Sequence, residues 1–303
     1  MKKNRSMLVA FVVPATFLFF LTFVYPIIRT FIMSFFKIQE ITDPVSTWSF
    51  NGLGNYISLM GSPLYVQSWI NLLKVFFIGG LITLGGSLIL AVMIKSGVRG
   101  RRFFQSAVYL PNVVSAVAMA TMWLQYVFNS QYGLLRTIFK FLGLKQLAEF
   151  EWLTPDHKFV ALLIAYCFCS IGHYMLIWVS GIERIGPEYY EAASIDGANK
   201  VQQFFHVTLP LLRGILRTNL IMWAIGVSGF FVWSKLFSPL VPDNATIMPM
   251  VYMYEKLFGA ENASDVIQRD AGSSAAVGVM LCIFIVLIFT IVNRCIRDND
   301  LEF

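Results

Sequence analysis

Long apolar segments alternate with shorter polar segments along the whole chain. An α-helix needs about 20 mostly apolar residues to cross a bilayer, and segments of that length lie at roughly 7–28, 69–94, 104–128, 159–182, 211–234 and 272–292. None of these segments contains Asp or Glu. The pattern predicts an all-α polytopic membrane protein with six transmembrane helices.

The polar segments divide the chain around one membrane domain. We interpret residues 1–64 as a first transmembrane helix with an extracytoplasmic loop, 65–295 as a core of five helices, and 296–303 as a cytoplasmic tail. The first apolar segment is too long for a signal peptide and lacks a small-residue cleavage site, so we expect it to remain as a helix. Two further loops are predicted at 129–157 and 235–271.

Composition agrees with a membrane protein. The 303-residue chain is 57% hydrophobic and only 13% charged, which lies outside the range of ordinary soluble domains. Its net charge is +6, but the basic residues adjoin apolar segments and form no stripe for nucleic acid, so no nucleic-acid partner is expected. The cysteines lie in or beside apolar segments, which favours packing over disulfides or a metal site.

Lysine and arginine indicate how the chain is oriented. They crowd into compact segments at the N-terminus, between predicted helices two and three, around the segment between helices four and five, and at the C-terminus. These residues are Lys2, Lys3, Arg5, Lys95, Arg99, Arg101, Arg102, Arg184, Lys200, Arg213, Arg217, Arg294 and Arg297. The positive-inside rule then places both termini and residues 183–210 in the cytoplasm.

The polar segment between predicted helices four and five carries helix signals of its own. Pro187 suits the first helical position, and Glu188 and Glu191 favour the first turns because carboxylates stabilise the positive end of the helix dipole. Gly197 can end that helix in a left-handed conformation, and a second helical pattern begins at Asn199. The segment is predicted to form a helix-turn-helix at the membrane surface.

Several classes of transporter and enzyme need residues that the sequence lacks. Proton- or sodium-driven carriers usually need carboxylates inside the membrane or broken helices at its midplane, and the predicted spans contain no carboxylate. The phosphate-binding pattern G-x-x-x-x-G-K-[ST] is absent, so the chain does not bind ATP by that route. The 3 histidines have no neighbours at metal-ligand spacing. A transporter built on this chain needs an energy source from another subunit.

One motif in the cytoplasmic segment is specific. It consists of Glu191-Ala-Ala, three residues, Gly197, nine residues, Val207, one residue and Leu209-Pro210. This pattern resembles the EAA loop of the membrane subunits of binding-protein-dependent ABC importers, with Val207 where the pattern often has Ile.

Further segments resemble the carbohydrate-importing permeases of that family, and the resemblance covers about residues 65–295. They are the segment from Arg102 to Pro111, Gly133-Leu-Leu, Leu142-Gly143-Leu and Trp152-Leu. The segment 237–246 departs from the Thr-Gly-Gly-Pro-like sequence that many of those permeases have there, which loosens any inference to a particular sugar.

The resemblance implies a transport subunit that is not itself an enzyme. In a bacterial cytoplasmic membrane it would join a second homologous permease and two ATPase subunits. It would receive a carbohydrate, expected to be an oligosaccharide, from an extracytoplasmic solute-binding protein. ATP and Mg would act on the ATPase subunits, so no cofactor is expected on this chain. The residues expected to couple to the ATPase are Glu191, Ala192, Ala193, Asp196, Gly197, Leu209 and Pro210.

Two faces of the predicted helices are candidates for the substrate path, because a path should be polar and aromatic among lipid-facing aliphatic residues. By resemblance, helices four and five line the path. The candidates are Tyr166, Ser170 and His173 at helical spacing on helix four, and Asn219, Trp223 and Phe230 on helix five. For each residue the alternative is a packing role.

Two other functions stay open from the sequence. The chain could be an ABC permease for a non-sugar solute such as a polyol or a phosphodiester, or a polytopic membrane scaffold or enzyme. Absence of a co-purifying ATPase would favour the scaffold or enzyme.

Overall fold

The computed structural model describes residues 5–95, 98–238, 243–259 and 268–296. Most of the predicted tail, Lys2 and Lys3, and part of the segment 237–246 lie outside the described residues. The helices are α1 Arg5–Phe19, α2 Tyr25–Met33, α3 Gly54–Met60, α4 Pro63–Lys74, α5 Gly80–Lys95, α6 Arg101–Val113, α7 Ala116–Met122, α8 Leu134–Phe141, α9 Lys145–Ala148, α10 Lys158–Glu183, α11 Pro187–Ile195, α12 Lys200–Gln203, α13 Leu209–Leu211, α14 Arg213–Ser228, α15 Val232–Phe237, α16 Pro249–Phe258 and α17 Ala271–Cys295.

Short π-helical turns extend several of these helices. A π turn is a local widening of an α-helix and is frequent at functional positions. The turns are Phe20–Val24 between α1 and α2, Val75–Gly79 between α4 and α5, Trp123–Val127 after α7, and Phe204–Thr208 between α12 and α13. As a result, α4 and α5 form one helix over Pro63–Lys95.

Four helices in the described part of the chain are long and apolar enough to cross a membrane. They are Ala10–Met33, Pro63–Lys95, Lys158–Glu183 and Ala271–Cys295. These helices overlap the first, second, fourth and sixth predicted spans, and they confirm a predominantly helical membrane protein. Residues 29–33 belong to α2 and residues 63–68 belong to α4, so the first two predicted spans are shorter than the observed helices at those ends.

The third predicted span, 104–128, is broken. Helix α6 and the helix over Ala116–Val127 are bent by 96° relative to each other, and Val114 and Ser115 between them have extended backbone. Pro111 provides a physical reason, because proline has no N–H to donate and so weakens the last turns of α6. The bent pair amounts to a fifth span if it is counted as one.

The fifth predicted span, 211–234, is not one long helix. Helix α14 has 16 residues, or about 24 Å at 1.5 Å per residue, against about 30 Å of hydrocarbon. It ends at Gly229, and the chain resumes as α15 after two more residues. The described residues therefore do not contain six continuous helices that are long enough to cross a membrane.

The chain divides into two compact units, the first of which comprises Met1–Val66 and Tyr252–Ile283. Within it, β1 (Phe36–Lys37) pairs antiparallel with β2 (Ser49–Phe50). The buried amide of Asn55 donates to the carbonyl oxygens of Ser34 and Phe36, both at 2.9 Å. These bonds fasten the strand pair to α3.

The second unit comprises Gln67–Val251 and Phe284–Phe303, and α10 forms its core with α5 and α6. Met175 and Trp178 of α10 are buried in one cluster with Ala91 of α5. Gly172 lets α6 approach closely, since a Cβ there would meet the backbone at Val108. Helix α10 is therefore the rigid element from which the candidate substrate path and the segment that follows it, residues 187–211, are built.

An ion pair fixes the N-terminal end of α10. Lys158 Nζ lies 2.8 Å from Asp243 Oδ2. Burial alone would raise the pKa of Asp243, but hydrogen bonds from Lys158 and the Ala245 N–H, together with the lysine charge, outweigh it and hold the pKa below its usual value. The pair therefore persists at neutral pH, and its stabilising effect is lost only as the pH falls through that lowered pKa.

Candidate translocation path and coupling loop

An aromatic cluster surrounds Tyr166 on α10. Its ring centroid lies 4.5 Å from that of Phe230, 5.6 Å from Trp223 and 6.0 Å from Trp233. Such edge and tilted contacts stabilise aromatic pairs beyond the area they bury. Through this cluster α10 contacts α14, α15 and the residues between these two helices.

Trp223 is enclosed by the second predicted span. The side chain is 1% exposed, and its indole N–H donates to the carbonyl oxygen of Phe76, at 2.9 Å, in the π turn. A Cβ on Gly80 would lie 2.8 Å from the indole nitrogen, and one on Gly79 would lie 3.2 Å from the ring. Glycine at both positions thus makes room for Trp223, and the indole N–H is not available to a solute in this conformation.

Asn219 lies one helical turn before Trp223. Its side chain is 0% exposed, and neither its amide nitrogen nor its amide oxygen has a hydrogen-bond partner within the described residues. A buried amide without a partner costs about 1–3 kcal/mol. Asn219 is the least satisfied of the predicted path residues.

A cavity of about 190 Å³ opens at the break between α6 and α7. It brings together the exposed imidazole of His173, the buried hydroxyl of Ser170 and the ring of Tyr166. The full lining is Pro111, Asn112, Val114, Ala116, Met119, Tyr166, Cys169, Ser170, His173, Tyr174 and Trp233. The cavity therefore combines neutral hydrogen-bonding groups with aromatic rings.

The predicted path residues thus fall into two groups. Tyr166, Ser170 and His173 line the cavity. Asn219, Trp223 and Phe230 are buried and do not line it, although Phe230 and Trp223 contact the Tyr166 ring.

The helix-turn-helix predicted between helices four and five is confirmed locally. Helix α11 begins at Pro187 and carries Glu188 in its first turn. Gly197 has φ +80°, and the N–H groups of Gly197 and Ala198 donate to the carbonyls of Ser194 and Ala193 at 3.1 and 2.9 Å. This left-handed C-terminal cap is the turn that glycine was expected to provide.

The second helix of this segment has a capping box. Asn199 Oδ1 accepts from the Gln202 N–H at 2.9 Å, and Gln202 Oε1 accepts from the Asn199 N–H at 2.8 Å. The buried Gln203 amide donates to Ser194 Oγ at 2.9 Å and to the Ala198 carbonyl at 3.2 Å. These bonds hold α11 and α12 at a fixed angle. We call residues 187–211 the coupling loop, after the role that the motif resemblance implies.

The coupling loop exposes apolar side chains. Ile195 is 87% exposed, and Val201 and Phe205 are also exposed. Among the described residues, the exposed carboxylate of Glu191 has no hydrogen-bond or ion-pair partner, and it does not cap its own helix. A hollow of about 240 Å³ lies beside these residues, lined by Ala193, Asp196, Gly197, Ala198, Gln202, Gln203, His206 and Val207. The coupling loop thus presents a concave, partly apolar surface next to a carboxylate that has no partner in the described part of the chain.

A small charge cluster joins the ends of three helices just before the coupling loop. Glu183, the last residue of α10, lies 2.9 Å from Arg101 at the start of α6 and 3.6 Å from Lys95 at the end of α5.

Comparison with known proteins decides the family. The model of the family "Binding-protein-dependent transport system inner membrane component" matches residues 82–298. The chain belongs to this family. The family resemblance inferred from the sequence is therefore confirmed, and the chain is a membrane transport subunit, an ABC transporter permease.

Relatives of this permease cover most of its length. A probable ABC transporter permease protein of Bacillus subtilis is 30% identical over 260 residues, which cover 84% of this chain and 87% of the relative. The arabinooligosaccharides transport system permease protein of the same bacterium is 28% identical over 283 residues, covering 92% and 84%.

A solved structure shows the same fold. One chain of the crystal structure of a bacterial ABC transporter involved in the import of the acidic polysaccharide alginate matches with a TM-score of 0.78 at 21% identity. The match covers 97% of this permease and 96% of that chain. The broken third span and the short α14 thus occur in a chain with an ABC permease fold.

Sequence reasoning missed several residues of this permease that the structure brings to the sites. Asn112, Tyr174 and Trp233 line the cavity, and the Pro111-Asn112 pair with Ser115 is a sequence signal for the break at which the cavity opens. Apolar residues such as Ile195 and Phe205 are too common in a membrane protein to mark a docking surface in the sequence.

Proposed function

We propose that the chain is the permease subunit of an ATP-driven importer that carries a carbohydrate, and specifically an oligosaccharide, across a bacterial cytoplasmic membrane. It works with a second homologous permease, two ATPase subunits and an extracytoplasmic solute-binding protein. ATP and Mg²⁺ act on the ATPase subunits, and this chain needs no cofactor. The arabinooligosaccharide relative and the alginate-importing neighbour support a carbohydrate solute.

The observation that carries this proposal is the surface of the coupling loop. A rigid, capped helix pair presents exposed Ile195, Val201 and Phe205 beside the unpaired Glu191 carboxylate. Exposed apolar groups on a fixed frame favour docking into a groove on another protein. The groove belongs to an ATPase subunit, and Asp196, Leu209 and Pro210 shape the loop that enters it. ATP-driven closure of the two ATPase subunits then moves the coupling loop and with it α10, whose last residue, Glu183, pairs with Arg101 of α6 and Lys95 of α5.

The proposed topology has six spans, with α14 and α15 together as the fifth. Both termini and the coupling loop lie in the cytoplasm, because Lys95, Arg101 and Arg184 cluster at that end of the helices. We expect an alkaline phosphatase reporter fused after Phe303 to be inactive and a cytoplasmic fluorescent reporter at the same site to be active. The reverse pattern would overturn the orientation.

The chemistry of the cavity suits a neutral sugar. Asn112, Ser170 and His173 offer hydrogen-bonding groups to hydroxyls, and Tyr166 and Trp233 offer apolar ring surface to the C–H faces. Pockets for small molecules usually combine mostly apolar walls with a few placed polar groups. Among the described lining residues there is no Lys, Arg, Asp or Glu, so the described lining of this cavity offers no cation to the phosphate of a phosphodiester.

The direct test is purification and reconstitution of the whole complex. A tagged permease should co-purify with ATPase subunits, and in vesicles with its binding protein its ATP hydrolysis should rise with a neutral oligosaccharide. Polyols and glycerophosphodiesters, added at equal concentration, provide matched controls. Stimulation by one of those controls alone would assign a non-sugar solute, and absence of any co-purifying ATPase would favour the scaffold or enzyme.

A further inference from the structure

Helix α8, in the segment that precedes α10, has an apolar face that no described residue of the chain covers. Leu134, Ile138, Phe141 and Leu142 lie on one face by helical spacing, and all four are exposed, with Phe141 at 91%. An exposed apolar face of this kind marks a contact with another protein or with lipid.

The start of α8 is fixed against the end of the third span. The helix packs against the π turn Trp123–Val127. Gly133 permits the turn between them, since a Cβ there would lie 2.8 Å from the Val127 carbonyl oxygen. The Asn129 side chain accepts from the backbone N–H groups of Gln131 and Tyr132 at 2.8 and 3.1 Å. The depth of α8 along the membrane normal is therefore set by the span and not by a flexible linker.

Aromatic contacts place the same segment at the N-terminal end of α10. The Phe128 ring lies 5.6 Å from that of Trp152, and the Phe150 ring lies 4.3 Å from that of His157, which directly precedes α10. The coupling loop follows the other end of α10, which at 26 residues is about 39 Å long. Helix α8 thus lies at one boundary of the bilayer, on the side away from the coupling loop.

The charged side chains within α8 and α9 are all basic. Lys140 lies on the side of the helix opposite the apolar face, and Lys145 follows in α9; both are exposed. An amphipathic helix with Phe, Ile and Leu on one face and Lys on the other lies in the plane of a membrane interface, with its cations at the phosphate groups.

We propose that α8 is an interfacial anchor that binds the phospholipid surface on the extracytoplasmic side. Its apolar face enters the acyl-chain boundary, and Lys140 and Lys145 contact lipid phosphates. The anchor holds the break between α6 and α7 at a fixed depth, because it is joined to that broken span at the Trp123–Val127 turn. This inference does not depend on which solute is transported.

Depth-dependent quenching of a fluorescent label tests the proposal in the assembled transporter. Phe141→Cys and Lys140→Cys are adjacent in sequence but lie on different sides of α8, so they form a matched pair. Exposed Cys282 and Cys295 are first changed to Ser, whereas Cys167 and Cys169 are buried. The bimane-labelled complex is placed in nanodiscs that contain phospholipid with a nitroxide at acyl carbon 5, and iodide serves as the aqueous quencher.

We expect the nitroxide lipid to quench the Phe141→Cys label at least about two-fold more than the Lys140→Cys label, and iodide to show the opposite order, because the apolar face of an interfacial helix is buried about 5–10 Å. Ile138→Cys on the same face should repeat the result if Phe141→Cys assembles poorly. A label shielded from both quenchers would indicate a covering protein subunit, and equal iodide quenching at both positions would indicate water. Either result overturns the proposal.

Discussion

Replacing Ile195 with Asp should detach the permease from its ATPase subunits. Ile195 is 87% exposed on the last turn of α11, so the substitution disturbs no core of this chain. Burial of an isoleucine side chain contributes about 1.5–3 kcal/mol, and a carboxylate in its place adds a desolvation cost. A loss of about 3 kcal/mol corresponds to roughly a 100-fold weaker affinity. The measurement is the amount of ATPase that co-purifies with a tagged permease, together with solute-stimulated ATP hydrolysis in vesicles.

Matched variants separate docking from folding. Ile195→Leu keeps the apolar group and should keep the ATPase bound. Glu188→Gln removes a carboxylate from the first turn of the same helix, where the Glu188 side chain folds back against Gly186. This variant should retain most of the coupling between solute and ATP hydrolysis. Membrane levels of all three variants should match the parent protein. Full co-purification of ATPase with Ile195→Asp would remove Ile195, and the apolar surface around it, from the docking site.

The coupling loop could be predicted in detail because its structure is local. Pro187, Gly197 and Asn199 each impose a backbone conformation or a cap within a few residues of their own position, and all three do so in the structure. The exposure of Ile195 and Phe205 could not be predicted in the same way. Which side of a short helix remains uncovered depends on the packing of the whole chain, and that information is not in the local pattern.

Membrane spans were predicted well where the helix is continuous and poorly where it is broken. The average hydropathy of a stretch of sequence depends only on its residue composition. It therefore does not detect that Pro111 precedes a 96° bend or that α14 stops at Gly229. Proline and glycine were visible in the sequence, but both are common inside transmembrane helices that do not break. Their effect here depends on contacts with other helices, such as α6 against Gly172.

The candidate path was partly predictable for a related reason. Helical spacing correctly grouped Tyr166, Ser170 and His173 on one face of α10, and that face lines the cavity. The same spacing grouped Asn219 with Trp223, but the environment of Trp223 is set by Gly79 and Gly80, more than 140 residues earlier. Only the assembled fold shows that the indole fills a space made for it.

Trp223→Ala should therefore lower the stability of the permease, whereas His173→Ala should change transport and leave stability intact. Truncating a buried tryptophan costs about 3–5 kcal/mol, and the change also leaves the Phe76 carbonyl without its indole donor. The exposed His173 has no comparable packing to lose. We expect the melting temperature of purified Trp223→Ala to fall by several degrees, and that of His173→Ala to stay within about one degree, because exposed substitutions usually change stability by less than 0.5 kcal/mol.

Uptake assays complete this comparison. His173→Ala should raise the solute concentration needed for half-maximal uptake, or change the order of preference among oligosaccharides, with the ATPase still bound. Trp223→Phe keeps an aromatic ring without the N–H, so it should recover most of the stability that alanine loses, apart from about 1 kcal/mol for the missing hydrogen bond. If Trp223→Ala instead melted like the parent protein but changed solute preference, Trp223 would belong to the path, and the enclosed position seen here would be only one state of the transport cycle.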